Sequence, residues 1–189
     1  MLDVNIVVTG TDAESAKAKI FLSSALHRVS KSLNVEVTQA RDAAELRAAA
    51  LAPAVLSVIS GHGGWYRSEP RSKWKLGIGS PRTTSIATPS EWFESPNAIG
   101  GRSLLVLSCD GKPEGDPQAV DSAASWTFLR DRLVIVGKGD IQQGDMSAAV
   151  RSFARFGFPE VPRTPDQVWT DWYGDMRGQG RAAGFQRAL

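Results

Sequence analysis

Three short apolar runs constrain the fold most. They are Ala54-Val55-Leu56-Ser57-Val58-Ile59-Ser60, the segment 103–108 with Leu104-Leu105-Val106-Leu107, and Leu133-Val134-Ile135-Val136. Each is rich in residues that suit a pleated, buried backbone, and each is too short for a core helix. Each ends at a turn with glycine close by: Gly61-His62-Gly63-Gly64, Cys109-Asp110-Gly111 and Gly137. A strand that is apolar on both faces needs cover on both faces. That requirement selects a mainly parallel sheet between two layers of helices, a three-layer α/β/α sandwich.

The intervening segments read as the helices such a sheet needs. Val4-Asn5-Ile6-Val7-Val8-Thr9 is a further strand, closed by Gly10. Thr11-Asp12-Ala13-Glu14 matches a capping box, and Leu22, Leu26, Val29 and Leu33 follow at helical spacing. Val35–Thr38 alternates as a short strand, and Asp42-Ala43-Ala44-Glu45 opens an alanine-rich helix that stops before Pro53. Residues 63–88 mix glycine, proline, charge and aromatics, and are expected to form a hairpin over the neighbouring strand ends. Thr88-Pro89-Ser90-Glu91 restarts a helix in a unit that Gly100-Gly101 ends. Further helices are expected through Val120, Ala124 and Phe128, through Ala149, Val150, Phe153 and Phe156, and from Thr164 through Trp172 and Met176. The tail, with Gly174, Gly178, Gly180 and Gly184, is expected to fray. One domain over 1–189 is expected, with a core at 3–157 and a C-terminal helix and tail at 164–189.

Composition excludes several classes. Apolar residues make up 42% of the chain, which argues against general disorder. A formal charge of +2 is too near balance to indicate nucleic acid or a membrane surface. The basic residues between 67 and 82 carry no nucleic-acid motif and read as a solvated face. No stretch approaches ~20 apolar residues, so no membrane span is expected. The N-terminus lacks the basic region of a signal peptide. Cys109 is the single cysteine, which rules out an internal disulfide, and structural zinc usually needs several Cys and His ligands. A cytoplasmic location is expected, because the free thiol fits a reducing compartment.

Ligands of parallel sheets bind beyond the carboxyl ends of the strands, where His62 and Cys109 fall. Taken singly, a lone cysteine is most often a small buried hydrophobe, and a turn histidine is most often bonded to backbone. Two such residues at two strand ends, with glycines beside them, favour chemistry instead. An imidazole that takes the thiol proton creates a nucleophilic thiolate, and can then protonate a leaving amine. His27, in the first helix, reads as an ordinary surface or boundary residue.

Val58-Ile59-Ser60-Gly61-His62-Gly63 and Leu105-Val106-Leu107-Ser108-Cys109-Asp110-Gly111 resemble the two motifs of the caspase-like superfamily of cysteine peptidases. That group includes caspases, metacaspases, separase and gingipain. The closest likeness is to the CHAT-domain type, whose cysteine motif reads Leu-Ser-Ala-Cys; here Leu107-Ser108-Cys109 is one small residue shorter. Leu107 stands where metacaspases carry an acid, and the Gln-Ala-Cys-Arg-Gly of animal caspases is absent. The order of strand–helix units also agrees over roughly residues 3–157.

The resemblance implies His62 as base, Cys109 as nucleophile, and the backbone N–H groups of Gly63 and Cys109 as oxyanion donors. It implies a protein or peptide substrate, no cofactor and no metal. It further implies an activating protein partner, in a setting such as bacterial defence or cell death. Asp110, Asp121 and Asp140 are candidates for a pocket that takes a basic substrate residue; Lys138 or Arg67 would instead take an acidic one. Trp65, Tyr66 and Trp74 either wall the cleft or form a satellite core. Two other readings stand beside the peptidase. One is a non-catalytic interaction or regulatory module on the same fold. The other is a flavodoxin-like nucleotide-binding domain, weakened because Gly10-Thr11-Asp12 is no phosphate loop.

Overall fold

The structure is a computed structural model, and it describes residues 1–68, 71–79, 85–93, 95–109, 122–156, 158 and 163–188. In chain order the first elements are β1 (Leu2–Thr9), α1 (Ala13–His27), β2 (Val35–Ala40), α2 (Ala43–Ala50) and β3 (Ala54–Ser60). Next come β4 (Gly63–Ser68), β5 (Arg71–Ile78), β6 (Ser85–Ala87), the single-turn α3 (Pro89–Trp92) and β7 (Gly101–Leu107). The chain closes with a 3₁₀ segment Ala124–Leu129, β8 (Leu133–Gly137), α4 (Gln143–Phe156), α5 (Pro165–Gly178) and β9 (Phe185–Ala188).

Six strands form the central sheet in the order β2-β1-β3-β7-β8-β9, parallel except for β9. The two longest apolar runs are neighbours, with Ala54 opposite Gly101 and Ser60 opposite Leu107. Strand alternation sorts the side chains into two cores. Val4, Ile6, Val8, Leu56, Val58, Leu105, Leu107, Leu133 and Ile135 pack under α1, α4 and α5. Val7, Ile59, Leu104, Val106, Val134 and Val136 pack on the other side, against α2, α3, Trp126 and the apolar residues of β5. The result is a three-layer α/β/α sandwich. One outer layer is shared with a three-stranded antiparallel sheet, β4-β5-β6, which fulfils the expectation of a hairpin.

Several local expectations are corrected. Asp12, not Thr11, caps α1, its carboxylate accepting the Ser15 N–H at 2.7 Å. α1 ends at His27, so Val29 and Leu33 lie beyond it. The cause is register: Val35 must lie opposite Val4, so the chain has to turn before Asn34, whose carbonyl accepts the Asp3 N–H at 3.0 Å. The helix at Thr88 is one turn, with the expected capping box, and Pro96 opens a separate 3₁₀ turn soon after. The helix expected through Val120, Ala124 and Phe128 is a 3₁₀ segment over Ala124–Leu129, while Val120 lies outside the described residues.

The largest correction is the tail. Instead of fraying, it turns at Gly180 (φ 70) and adds β9 antiparallel to β8. Without β9, β8 would present an open row of backbone donors and acceptors. Phe185 anchors the strand: it is buried and meets Trp172 edge-on, with ring centroids 5.5 Å apart. Among the described residues no helix is long and apolar enough to cross a membrane.

Phe185→Ala should therefore lower stability by about 3–5 kcal/mol, as for other buried phenylalanines. Urea unfolding measures this. A loss below about 1 kcal/mol would mean that β9 is not part of the cooperative core.

Candidate active site

The site starts from the β3/β7 pairing. The last paired residues are Ser60 and Leu107, and the Gly61 N–H donates to the Leu107 carbonyl at 3.3 Å. His62 and Cys109 each stand two residues beyond that pair, at neighbouring strand ends. Cys109 is half-buried and packs on the core under α1, α4 and α5. The His62 imidazole reaches the cap of α1, so both residues turn toward that layer. Among the described residues no hydrogen bond joins them.

The imidazole is held from the β1 side. His62 Nε2 lies 3.0 Å from Asp12 Oδ2 and 3.8 Å from Glu14 Oε2. The His62 side chain is 58% exposed and that of Asp12 only 17%. Asp12 thus does two things at once: one oxygen caps α1, the other faces the imidazole. Burial by itself pushes the Asp12 carboxyl up. The hydrogen bonds from Ser15 and the attraction and hydrogen bond of His62 outweigh it, so the carboxyl titrates below the ordinary aspartate value. The ionised carboxylate only accepts hydrogen bonds, which makes Nε2 the protonated ring nitrogen and leaves Nδ1 as the basic one.

Glycines permit the close approach of three strand ends. An ideal Cβ on Gly61 would fall 1.7 Å from Thr9 Oγ1. On Gly63 it would fall 2.3 Å from Ser108 Oγ, 2.7 Å from the Cys109 carbonyl oxygen and 2.7 Å from the Trp74 ring. The backbone of Gly63 therefore lies directly against that of Cys109, the two expected oxyanion donors. β5 ties this edge together. Trp74 Nε1–H donates to the Cys109 carbonyl at 2.9 Å. The Gly77 N–H donates to the His62 carbonyl at 2.7 Å, and Thr9 Oγ1–H donates to the Gly77 carbonyl at 2.9 Å.

The other expected site residues are less gathered. Asp140 is exposed in the turn after β8. Asp110 and Asp121 lie outside the described residues, as do the side chains of Tyr66 and Arg67. Lys138 is exposed, its backbone N–H bonded to the Gly184 carbonyl at 2.8 Å. Trp74 is fully buried and belongs to the second core, against which the half-buried Trp65 packs. His27 is an exposed residue at the end of α1, its Nδ1 2.8 Å from the Ser23 carbonyl oxygen. Among the described residues no group of three or more His, Cys, Asp or Glu side chains is arranged to hold a metal.

Sequence reasoning missed Asp12. It follows the first strand by a few residues, so the rule that drew attention to the ends of β3 and β7 also covers the end of β1. Compared with known proteins, the chain matches no family model and no curated protein.

Two outcomes are expected. A depressed Asp12 pKa contributes stability that is complete above the unfolded carboxyl value of about 3.9, and that is lost as pH falls through the folded value. Asp12→Asn should flatten the acid limb of the stability–pH curve, read from thermal melts between pH 2 and 7; an unchanged limb would contradict the pairing. Gly63→Ala should cost about 1–3 kcal/mol in urea unfolding, because the methyl meets backbone and a buried hydroxyl. A neutral Gly63→Ala would show that the two strand ends are not in contact.

Proposed function

We propose that this chain is a caspase-like cysteine peptidase that hydrolyses peptide bonds with His62 and Cys109. The observation that carries this reading is the pairing at the sheet edge: His62 and Cys109 in register beyond adjacent strands, with the imidazole's far nitrogen on a carboxylate. A carboxylate that fixes the tautomer and steadies the imidazolium is what a nucleophile–base pair needs.

The reaction runs in two stages. The Cys109 thiol gives its proton to His62 Nδ1, and the thiolate adds to the scissile carbonyl carbon. Backbone N–H groups of Gly63 and Cys109 receive the resulting oxyanion. Collapse breaks the C–N bond, the imidazolium protonates the departing amine, and a thioester remains. Water then adds to the thioester carbonyl while His62 takes its proton. Collapse expels the thiolate, which recovers the proton, and the carboxylic acid leaves. Asp12 moves no proton in this scheme; it positions the ring. No cofactor enters any step. In this reading the substrate is a protein or peptide, and the setting is a reducing, cytoplasmic compartment. An acidic pocket including Asp140 selects a basic residue next to the cleaved bond, and a protein partner acting on the β4-β5-β6 sheet switches the site on.

Fluorogenic peptide turnover, with lysine or arginine before the cleaved bond, tests the assignment. Cys109→Ala should abolish turnover with the fold intact, and iodoacetamide should inactivate the wild type at its single thiol. His62→Ala should cost about 10²–10⁴-fold, typical of a lost general base. The double variant should be little worse than either single one, since the two act as a unit. Full activity in Cys109→Ala would remove the peptidase reading and favour the non-catalytic module.

A further inference from the structure

At the opposite end of the sheet from His62 and Cys109 lies a groove of about 390 Å³. Its lining includes Pro96, Asn97, Phe128 and three arginines, Arg102, Arg130 and Arg132. Arg102 is the second residue of β7, and Arg130 and Arg132 precede β8, so the groove sits at the amino ends of the parallel strands. One guanidinium is built in. Arg132 Nη1 donates to the carbonyls of Ile99 and Gly101, the latter at 2.7 Å. Its Nε and Nη2 have no protein acceptor among the described residues. Burial pulls the Arg132 pKa below the ordinary arginine value, so the charge sits at a cost that a nearby anion would relieve.

Ion pairing separates the arginines of this groove from five others among the described residues. Arg41, Arg155, Arg163, Arg181 and Arg187 each face a carboxylate. Arg102 and Arg130 are exposed and make no ion pair among the described residues. Among the described lining residues the one carboxylate, Asp131, pairs with none of the three arginines. Three guanidinium forks beside the apolar surfaces of Pro96 and Phe128 make a recognition surface for planar anions.

We propose that this groove docks an acidic segment of a partner protein, its Asp or Glu carboxylates taken by Arg102, Arg130 and Arg132. Complementary charge selects the occupant, and the open, partly apolar walls suit a peptide chain. This assignment is independent of the peptidase reading.

Fluorescence anisotropy with a labelled tetraglutamate peptide, at low and at physiological salt, tests it. Binding should weaken with salt, as contacts between exposed charges do. The double substitution R102Q/R130Q should weaken it by roughly tenfold or more, the loss expected for two charge-assisted contacts. Both side chains are exposed, so the fold should persist, which circular dichroism checks; each single substitution should give part of the loss. R41Q, which removes a paired arginine elsewhere, should leave binding unchanged. The proposal is overturned by absence of peptide binding at low salt, by equal binding in R102Q/R130Q, or by equal weakening in R41Q. Binding of inorganic phosphate without the peptide would overturn it as well.

Discussion

The grip of β5 on the strand ends is the constraint on which the candidate site depends. A parallel sheet by itself leaves its carboxyl ends as separate loops, free to splay. Here the Trp74 indole N–H holds the Cys109 carbonyl, and Gly77 holds both the His62 carbonyl and the Thr9 hydroxyl. Three strands of the large sheet are thereby pinned to one strand of the small one. The burial of Trp74, Leu76 and Ile78 in the second core keeps β5 in place. Glycine at 61 and 63 lets these backbones approach more closely than any side chain would allow.

Much of this architecture was legible in the chain. Continuous apolar runs demanded cover on both faces, and the two-residue alternation then divided Val4, Ile6 and Val8 from Val7 into opposite cores. The β3–β7 pairing sets two of those runs side by side. What was not legible depended on partners distant in sequence. Phe185-Gln186-Arg187-Ala188 carries almost no strand pattern, and it pairs because β8 leaves an edge and Trp172 leaves a ring to pack against. Asp12 looks like any helix cap, and only the return of the chain at His62 gives its second oxygen a purpose. The sequence leaves Trp74 equally a cleft wall or a core residue. Its indole nitrogen decides the matter by reaching the Cys109 carbonyl from within the core.

The two ends of the sheet differ in charge. At the carboxyl end, Asp12 and Glu14 gather round an imidazole at the start of α1, where the helix dipole also favours negative charge. At the amino end, three arginines share a groove with one carboxylate among the described residues. With a formal charge of only +2 overall, this arrangement is local in origin and not a reflection of composition.

The double use of the Asp12 carboxylate has a thermodynamic corollary. One oxygen completes the first turn of α1 and the other receives the His62 ring, so the order of the helix start and the order of the imidazole share a single group. Coupling of this kind is reciprocal. Whatever grips the imidazole also tightens the amino end of α1, and whatever loosens that turn also releases the ring. Protection of the Ser15 amide against hydrogen exchange is therefore a remote report on occupancy at His62, readable without following any reaction.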